Sequence, residues 1–320
     1  MISIPEYDDS DETETEQDIV MDGIWERKGR SLLAAATLGL FGIGLLYANG
    51  QGLLVIIGIV LVEIGSAEPG SAGTVIDQLM ATAKLHATPL QISVVISLYL
   101  FMLLPTWLLV KRWHSHSVRQ YLLLVPSSFT EILLAVLATL AFIPAGNYIV
   151  NELTRWIQVP EALLEINALI FSAESISEFL WLVLVVAVTP AFCEEIFFRG
   201  YVQRTFERVI NAKSIILAGI IFGLFHMQPL GLITLAMFGI LFGYFYYRSR
   251  SLFPSMAAHF TNNFVAIFLL YKAPSIGGVG LENMDNMPLV LVLITLVVGF
   301  FLVYLYHKAT AFKAASLLDE

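Results

Sequence analysis

At 320 residues, 58% hydrophobic and only 13% charged, this chain is too apolar for an ordinary soluble domain. Its one cysteine, Cys193, excludes an internal disulfide, and nothing in the charge pattern suggests nucleic-acid binding. The net charge of -9 comes largely from residues 1–26, which hold ten acids and no Lys or Arg.

In chain order, residues 1–30 read as an acidic, disordered cytoplasmic tail that cannot bury a core. No cleavable signal peptide is expected, because the first apolar run starts only at Ser31 and no small-residue cleavage site follows. Apolar segments then fall near 31–48, 90–110, 128–150, 178–198, 214–228, 231–247, 251–271 and 288–308. A further run, 53–64, is too short to span unaided. It follows the breaker Asn49-Gly50-Gln51-Gly52 and reads as a bent continuation or a re-entrant piece. Residues 65–86 and 151–177 are the longer polar links, the second with a short amphipathic helix expected around Glu161 to Phe171. There is no internal repeat, and residues 309–320 form a C-terminal cytoplasmic tail.

Basic residues set the orientation. Arg27, Lys28 and Arg30 precede the first span, and Lys111, Arg112 and Arg119 follow the second. Arg204, Arg208 and Lys213 follow the fourth, Arg248 and Arg250 the sixth, and Lys308 and Lys313 the eighth. The other connections hold Lys84, Arg155 and Lys272 only. This alternation fits eight crossings with both termini in the cytoplasm.

Carboxylates at membrane depth cost roughly 2.5–3.5 kcal/mol each, so Glu194-Glu195 in an apolar run calls for a reason. Glu195 and Arg199, at i and i+4, share a helix face and can pair. Glu194 lies about 100° around the helix. That leaves Glu194 to face a cavity as a general base, with Glu195–Arg199 as its support; a purely structural ion pair is the competing reading. His226 shares a face with Phe222, and a lone membrane histidine also serves as a helix–helix hydrogen-bond donor. His259 and Asn263 form another i, i+4 pair that can orient a water or donate to an oxyanion. His86, His114, His116 and His307 read as bland link, loop or span-end residues. Cys193 reads as a small buried hydrophobe rather than a nucleophile.

These segments together resemble the CPBP family of intramembrane proteases, which includes the type II CAAX prenyl endopeptidases and the bacterial Abi proteins linked to bacteriocin immunity. The family pattern EExxxR, FxxxH and HxxxN stands here as Glu194-Glu195 with Arg199, Phe222 with His226, and His259 with Asn263. The resemblance covers roughly residues 178–270. It implies an eight-helix fold with a water-filled cavity open to the cytoplasm. Glu194 and His226 would prime a water, while His259 and Asn263 would stabilise the oxyanion. Zinc held by Glu194, His226 and His259 is the alternative, although the chain lacks an H-E-x-x-H helix. A mechanism that requires no cofactor is favoured.

The expectation is therefore an all-α polytopic integral membrane protein, with about eight transmembrane helices around a polar catalytic cavity. Its membrane domain spans 31–308 and its protease core about 178–270. The expected activity is hydrolysis of a peptide bond in a membrane-associated, in some members prenylated, protein. The expected location is a prokaryotic cell membrane. The alternatives are a non-catalytic adaptor or immunity-type protein, and a proton-coupled transporter, which would more often show internal repeats.

Overall fold

A computed structural model describes residues 19–65, 87–157, 170–272 and 288–310. These form ten helices: α1 (Ile24–Arg27), α2 (Leu32–Gly65), α3 (Ala87–Trp113), α4 (Val118–Tyr121), α5 (Phe129–Thr154), α6 (Ile176–Ile210), α7 (Lys213–Phe225), α8 (Leu232–Ser249), α9 (Leu252–Lys272) and α10 (Leu289–Ala309). No strand occurs among the described residues. The expected amphipathic helix near 161–171, most of the 65–86 link and residues 311–320 lie outside the described residues.

The protein is an all-α, polytopic membrane protein. Six helices are long and apolar enough to cross a bilayer: α2, α3, α5, α6, α8 and α10. Of the eight segments expected from sequence, two fall short, each for a different reason. α7 has 13 residues, about 20 Å at 1.5 Å per residue, against a hydrocarbon core of about 30 Å. α9 is long enough, but His259, Thr261, Asn262 and Asn263 dilute its apolar character. These two helices are the ones that carry the histidines of the motif.

The 53–64 run continues α2 without a break. Glycine within a helix costs only about 1 kcal/mol, which packing offsets. A Cβ on Gly50 would collide with the Phe101 ring of α3. The Gln51 side chain reaches the Ser93 hydroxyl at 3.0 Å and also bonds Ser97. The apparent breaker is thus a docking site for α3.

α6 is the central helix. Every residue from Ile196 to Gln203 is buried, Arg199 and Gln203 included. Its start is capped by Ser175, whose hydroxyl accepts from the Glu178 N–H at 3.3 Å. The outer helices α2 and α10 instead expose rows of large apolar side chains, among them Leu38, Phe41, Val290, Val297 and Phe300, which suit contact with lipid.

The basic-rich helix ends meet at one end of the bundle. Gly23 N–H donates to the His114 carbonyl at 2.8 Å. Glu207 of α6 pairs with Arg250 beyond α8, and Arg248 donates to the His307 carbonyl of α10 at 2.8 Å. The tail, expected to stay unfolded through residue 30, therefore docks from Ile19 onward, the first described residue, with the Ser115 hydroxyl donating to the Val20 carbonyl at 2.7 Å. A Cβ on Gly23 would collide with the Trp113 backbone, and Trp25 stacks on Trp113 at 4.6 Å. Glu26 accepts from His114 Nδ1 at 2.6 Å and from both Arg208 terminal nitrogens, at 2.6 and 3.1 Å. His114 is fully buried by this contact, unlike the loop residue that spacing suggests.

Burial pushes the Glu26 carboxyl up, but hydrogen bonds from His114 and Arg208 outweigh it and bring it to about 2, below its ordinary 4.5. A lowered carboxylate stabilises docking above pH 4.5, and that contribution is lost as pH falls toward 2. Glu26→Gln should therefore speed tryptic cleavage at Arg27 and Lys28 at neutral pH by about tenfold, from the loss of charge-assisted bonds. The excess over wild type should shrink below pH 4.5 when an acid-active protease is used. Equal cleavage of both proteins at neutral pH would show that the contact does not hold the segment.

Candidate active site

α6 delivers both glutamates. Thr189–Glu195 is regular α-helix, flanked by wider π-helical turns at Val183–Val188 and Ile196–Gln203. Pro190 has no N–H to give to the π-helical turn before it, Val183–Val188, which includes Val186. Asn263 of α9 donates its Nδ2 to the Val186 carbonyl at 2.8 Å. The proline thus exposes an acceptor on α6 that α9 satisfies.

The Glu195–Arg199 pair forms as the i, i+4 spacing expects. Nη1 of Arg199 donates to Glu195 Oε1 at 2.8 Å, with both side chains fully buried. Arg199 Nη2 donates to the Gly239 carbonyl of α8 at 2.8 Å. The guanidinium also lies over the Phe222 ring at 4.5 Å and the Phe242 ring at 5.6 Å.

His259 completes the group. Its Nδ1 meets Glu195 Oε1 at 2.8 Å. A carboxylate only accepts, so Nδ1 carries a proton, and Nε2 points the other way. Phe242 stacks on this ring at 5.3 Å and Phe222 meets it edge-on at 5.6 Å. His226 is fixed by the same logic. It caps the end of α7, and its Nδ1 donates to the Phe222 carbonyl at 2.8 Å. Met227, at φ 50°, then turns the chain into the left-handed region and ends the helix.

Both Nε2 atoms converge on Glu194. Its Oε2 lies 3.8 Å from His226 Nε2 and 4.0 Å from His259 Nε2. That oxygen is buried and has no hydrogen-bond partner. Three polar atoms thus face one another across gaps wide enough for a bridging water. The convergence depends on the shortness of α7, which ends at His226 beside Glu194.

Asn263 is bonded outside this trio. One amide hydrogen goes to Val186, and its Oδ1 accepts from Asn262 at 3.1 Å. Cys193 is fully buried in the apolar core.

The three atoms are chemically suited to zinc, and each ring is held through Nδ1 as ligating histidines are. Their spacing is less suited. Two ligands each about 2.1 Å from a tetrahedral ion lie about 3.4 Å apart, closer than these pairs. Among the described residues, no group of three or more His, Cys, Asp or Glu side chains is gathered to hold a metal ion.

Spacing rules overlooked Phe242 and Gly239. A Cβ on Gly239 would sit 2.8 Å from the Gly219 carbonyl oxygen, and one on Gly219 would press into Ile240. Two Gly-x-x-x-Gly runs, Gly219 to Gly223 and Gly239 to Gly243, bring α7 and α8 into backbone contact. That signal was present in the sequence.

Residues 176–265 match the family described as Type II CAAX prenyl endopeptidase Rce1-like. This places the segment in the CAAX protease family. The match covers just over a quarter of the chain, and all six motif residues lie inside it. No curated protein and no solved structure matches the chain. The family's description is that of an endopeptidase, and the matched segment holds the buried polar cluster.

Glu195→Gln should leave Arg199 with an unpaired buried charge. The cost should be about 3–5 kcal/mol, the range for a broken buried pair. Thermal unfolding in detergent should show it, and Arg199→Ala should behave alike. A variant as stable as wild type would remove this pair from the stability account.

Proposed function

We propose that the protein is a CAAX-type intramembrane endopeptidase whose water is activated by Glu194 and His226. The observation that carries this reading is the unpartnered Glu194 Oε2 facing two imidazole Nε2 atoms whose opposite nitrogens are tied down. A water in that gap gives a proton to Glu194 or His226 as its oxygen attacks the scissile carbonyl, and the same group returns that proton to the amine nitrogen as the C–N bond breaks. Formally, Glu194, Glu195 and Arg199 sum to one negative charge, and one proton shared with the histidines balances it. On His259 that proton would leave an Nε2–H to donate to the oxyanion, with Glu195 holding the imidazolium from behind. The remaining amide hydrogen of Asn263 would be the second donor.

The substrate would be a membrane-associated polypeptide cut near the face where the basic helix ends gather. That face would be cytoplasmic, with both termini on it, in a prokaryotic cell membrane. No metal step is required by this scheme.

Glu194→Gln should keep the fold and lower turnover on the order of 100- to 10,000-fold, measured on a fluorogenic membrane-anchored peptide in proteoliposomes. Full activity in that variant would sink the assignment. Purified wild type should contain no stoichiometric zinc and keep its activity in a strong chelator. One zinc per chain, lost with activity and restored with it, would replace the water-activation scheme.

The two duties assigned to Asn263 separate experimentally. As an oxyanion donor, Asn263→Ala should cost about 100- to 1,000-fold in rate, assayed well below its melting temperature. As the partner of the Val186 carbonyl, its loss should cost only about 1–3 kcal/mol of stability. A rate that falls no further than the folded fraction would leave Asn263 an anchor and not a donor.

A further inference from the structure

A second polar cavity lies outside the glutamate–histidine cluster. It occupies about 540 Å³ between the end of α3, the short α4 and the chain that leads to α5. Lys111, Arg119 and His116 line it on one side, and Trp107, Leu124 and Pro126 on the other. No acidic side chain lines it among the described residues. Lys111 and Arg119 form no ion pair with another described residue, so two positive charges face the cavity.

The rim already holds an oxyanion. The Asp22 carboxylate accepts from the His116 backbone N–H at 2.8 Å and lies 2.8 Å from the ring Nδ1. The cavity also sits at membrane-interface depth. Trp107 lies one helical turn before Lys111, about 6 Å deeper along a spanning helix, where interfacial tryptophans concentrate. On the outer face of the same helix, Leu104 and Leu108 are exposed and offer an apolar track toward the bilayer interior. A soluble anion has no use for that track, whereas a molecule with a phosphate head and an acyl tail uses both halves.

We propose that this cavity binds the phosphodiester headgroup of an anionic phospholipid, with Lys111 and Arg119 on the phosphate and an acyl chain along α3. Basic pockets at the ends of membrane helices take such lipids, and each basic side chain near the surface favours an anionic lipid about fivefold, so the pair is worth about 30-fold. The site is separate from Glu194, and its occupancy does not depend on the proteolytic reading.

The test is tryptophan quenching in full-length protein reconstituted with acyl-brominated lipids. Brominated phosphatidylglycerol should quench more strongly than brominated phosphatidylcholine, and Trp107→Phe should remove the excess. Lys111→Gln with Arg119→Gln should reduce the preference for phosphatidylglycerol by about 30-fold. Lys111→Arg with Arg119→Lys should retain it. Should the double glutamine variant fail to insert, Arg119→Gln alone should lose about fivefold. Equal quenching by the two lipids in wild type overturns the proposal, as does a preference that survives the glutamine substitutions. Displacement by millimolar glycerol 1-phosphate would overturn the lipid assignment in favour of a soluble phosphate.

Discussion

A fully buried carboxylate–guanidinium pair in the middle of a membrane protein sets the terms for everything around it. Glu195 and Arg199 are each withdrawn completely from solvent. Such a pair needs partners to offset its desolvation, and here Glu195 Oε1 and both terminal nitrogens of Arg199 have them, while Glu195 Oε2 and Arg199 Nε do not. The solutions come from different helices. Glu195 Oε1 takes one donor from Arg199 on α6 and one from His259 on α9. Arg199 finds a backbone carbonyl on α8 and two aromatic faces, one from α7 and one from α8. The pair therefore specifies how four helices meet. It also decides which nitrogen of His259 is left to face Glu194.

That arrangement needs close approach, and the small residues supply it. With glycine at 219 and 239, α7 and α8 touch backbone to backbone, and the Gly239 carbonyl comes within reach of Arg199. Larger residues there would separate the helices and take the carbonyl away from the guanidinium. Pro190 plays a complementary part on α6. It withholds a backbone N–H, and the amide of Asn263 meets the Val186 carbonyl instead. Glycine and proline, which weaken isolated helices, here create the acceptors that polar side chains from neighbouring helices use.

At the basic end of the bundle the same economy holds with more solvent present. Glu26 ties the N-terminal segment to the ends of α3 and α6, and Glu207 ties α6 to Arg250. The acidic character of the N-terminus is thus partly a complement to the basic helix ends, not only a solvating tail. Lys111 and Arg119 remain turned to their own cavity at the edge of this network.

Several features of this protein were legible in the sequence because they depend only on local spacing and transfer energy. Hydropathy separated the membrane class from any soluble one, and the i, i+4 register of Glu195 and Arg199 anticipated their ion pair. The three polar clusters marked the segments that now fall within the CAAX endopeptidase match. Other features were decided by contacts between segments far apart in the chain. Asn49-Gly50-Gln51-Gly52 reads locally as a break, yet packing against Phe101 and bonds to Ser93 and Ser97 keep α2 whole. His114 reads as a loop residue, yet a carboxylate 88 positions earlier buries it. Counting apolar segments gave eight spans, but α7 stops at His226 and α9 is diluted by its polar face. Periodicity can say which side chains share a face of one helix. It cannot say which carbonyl on another helix will come within 3 Å. That distance is fixed by packing, and packing is what turned six separate polar residues into three polar atoms around one gap.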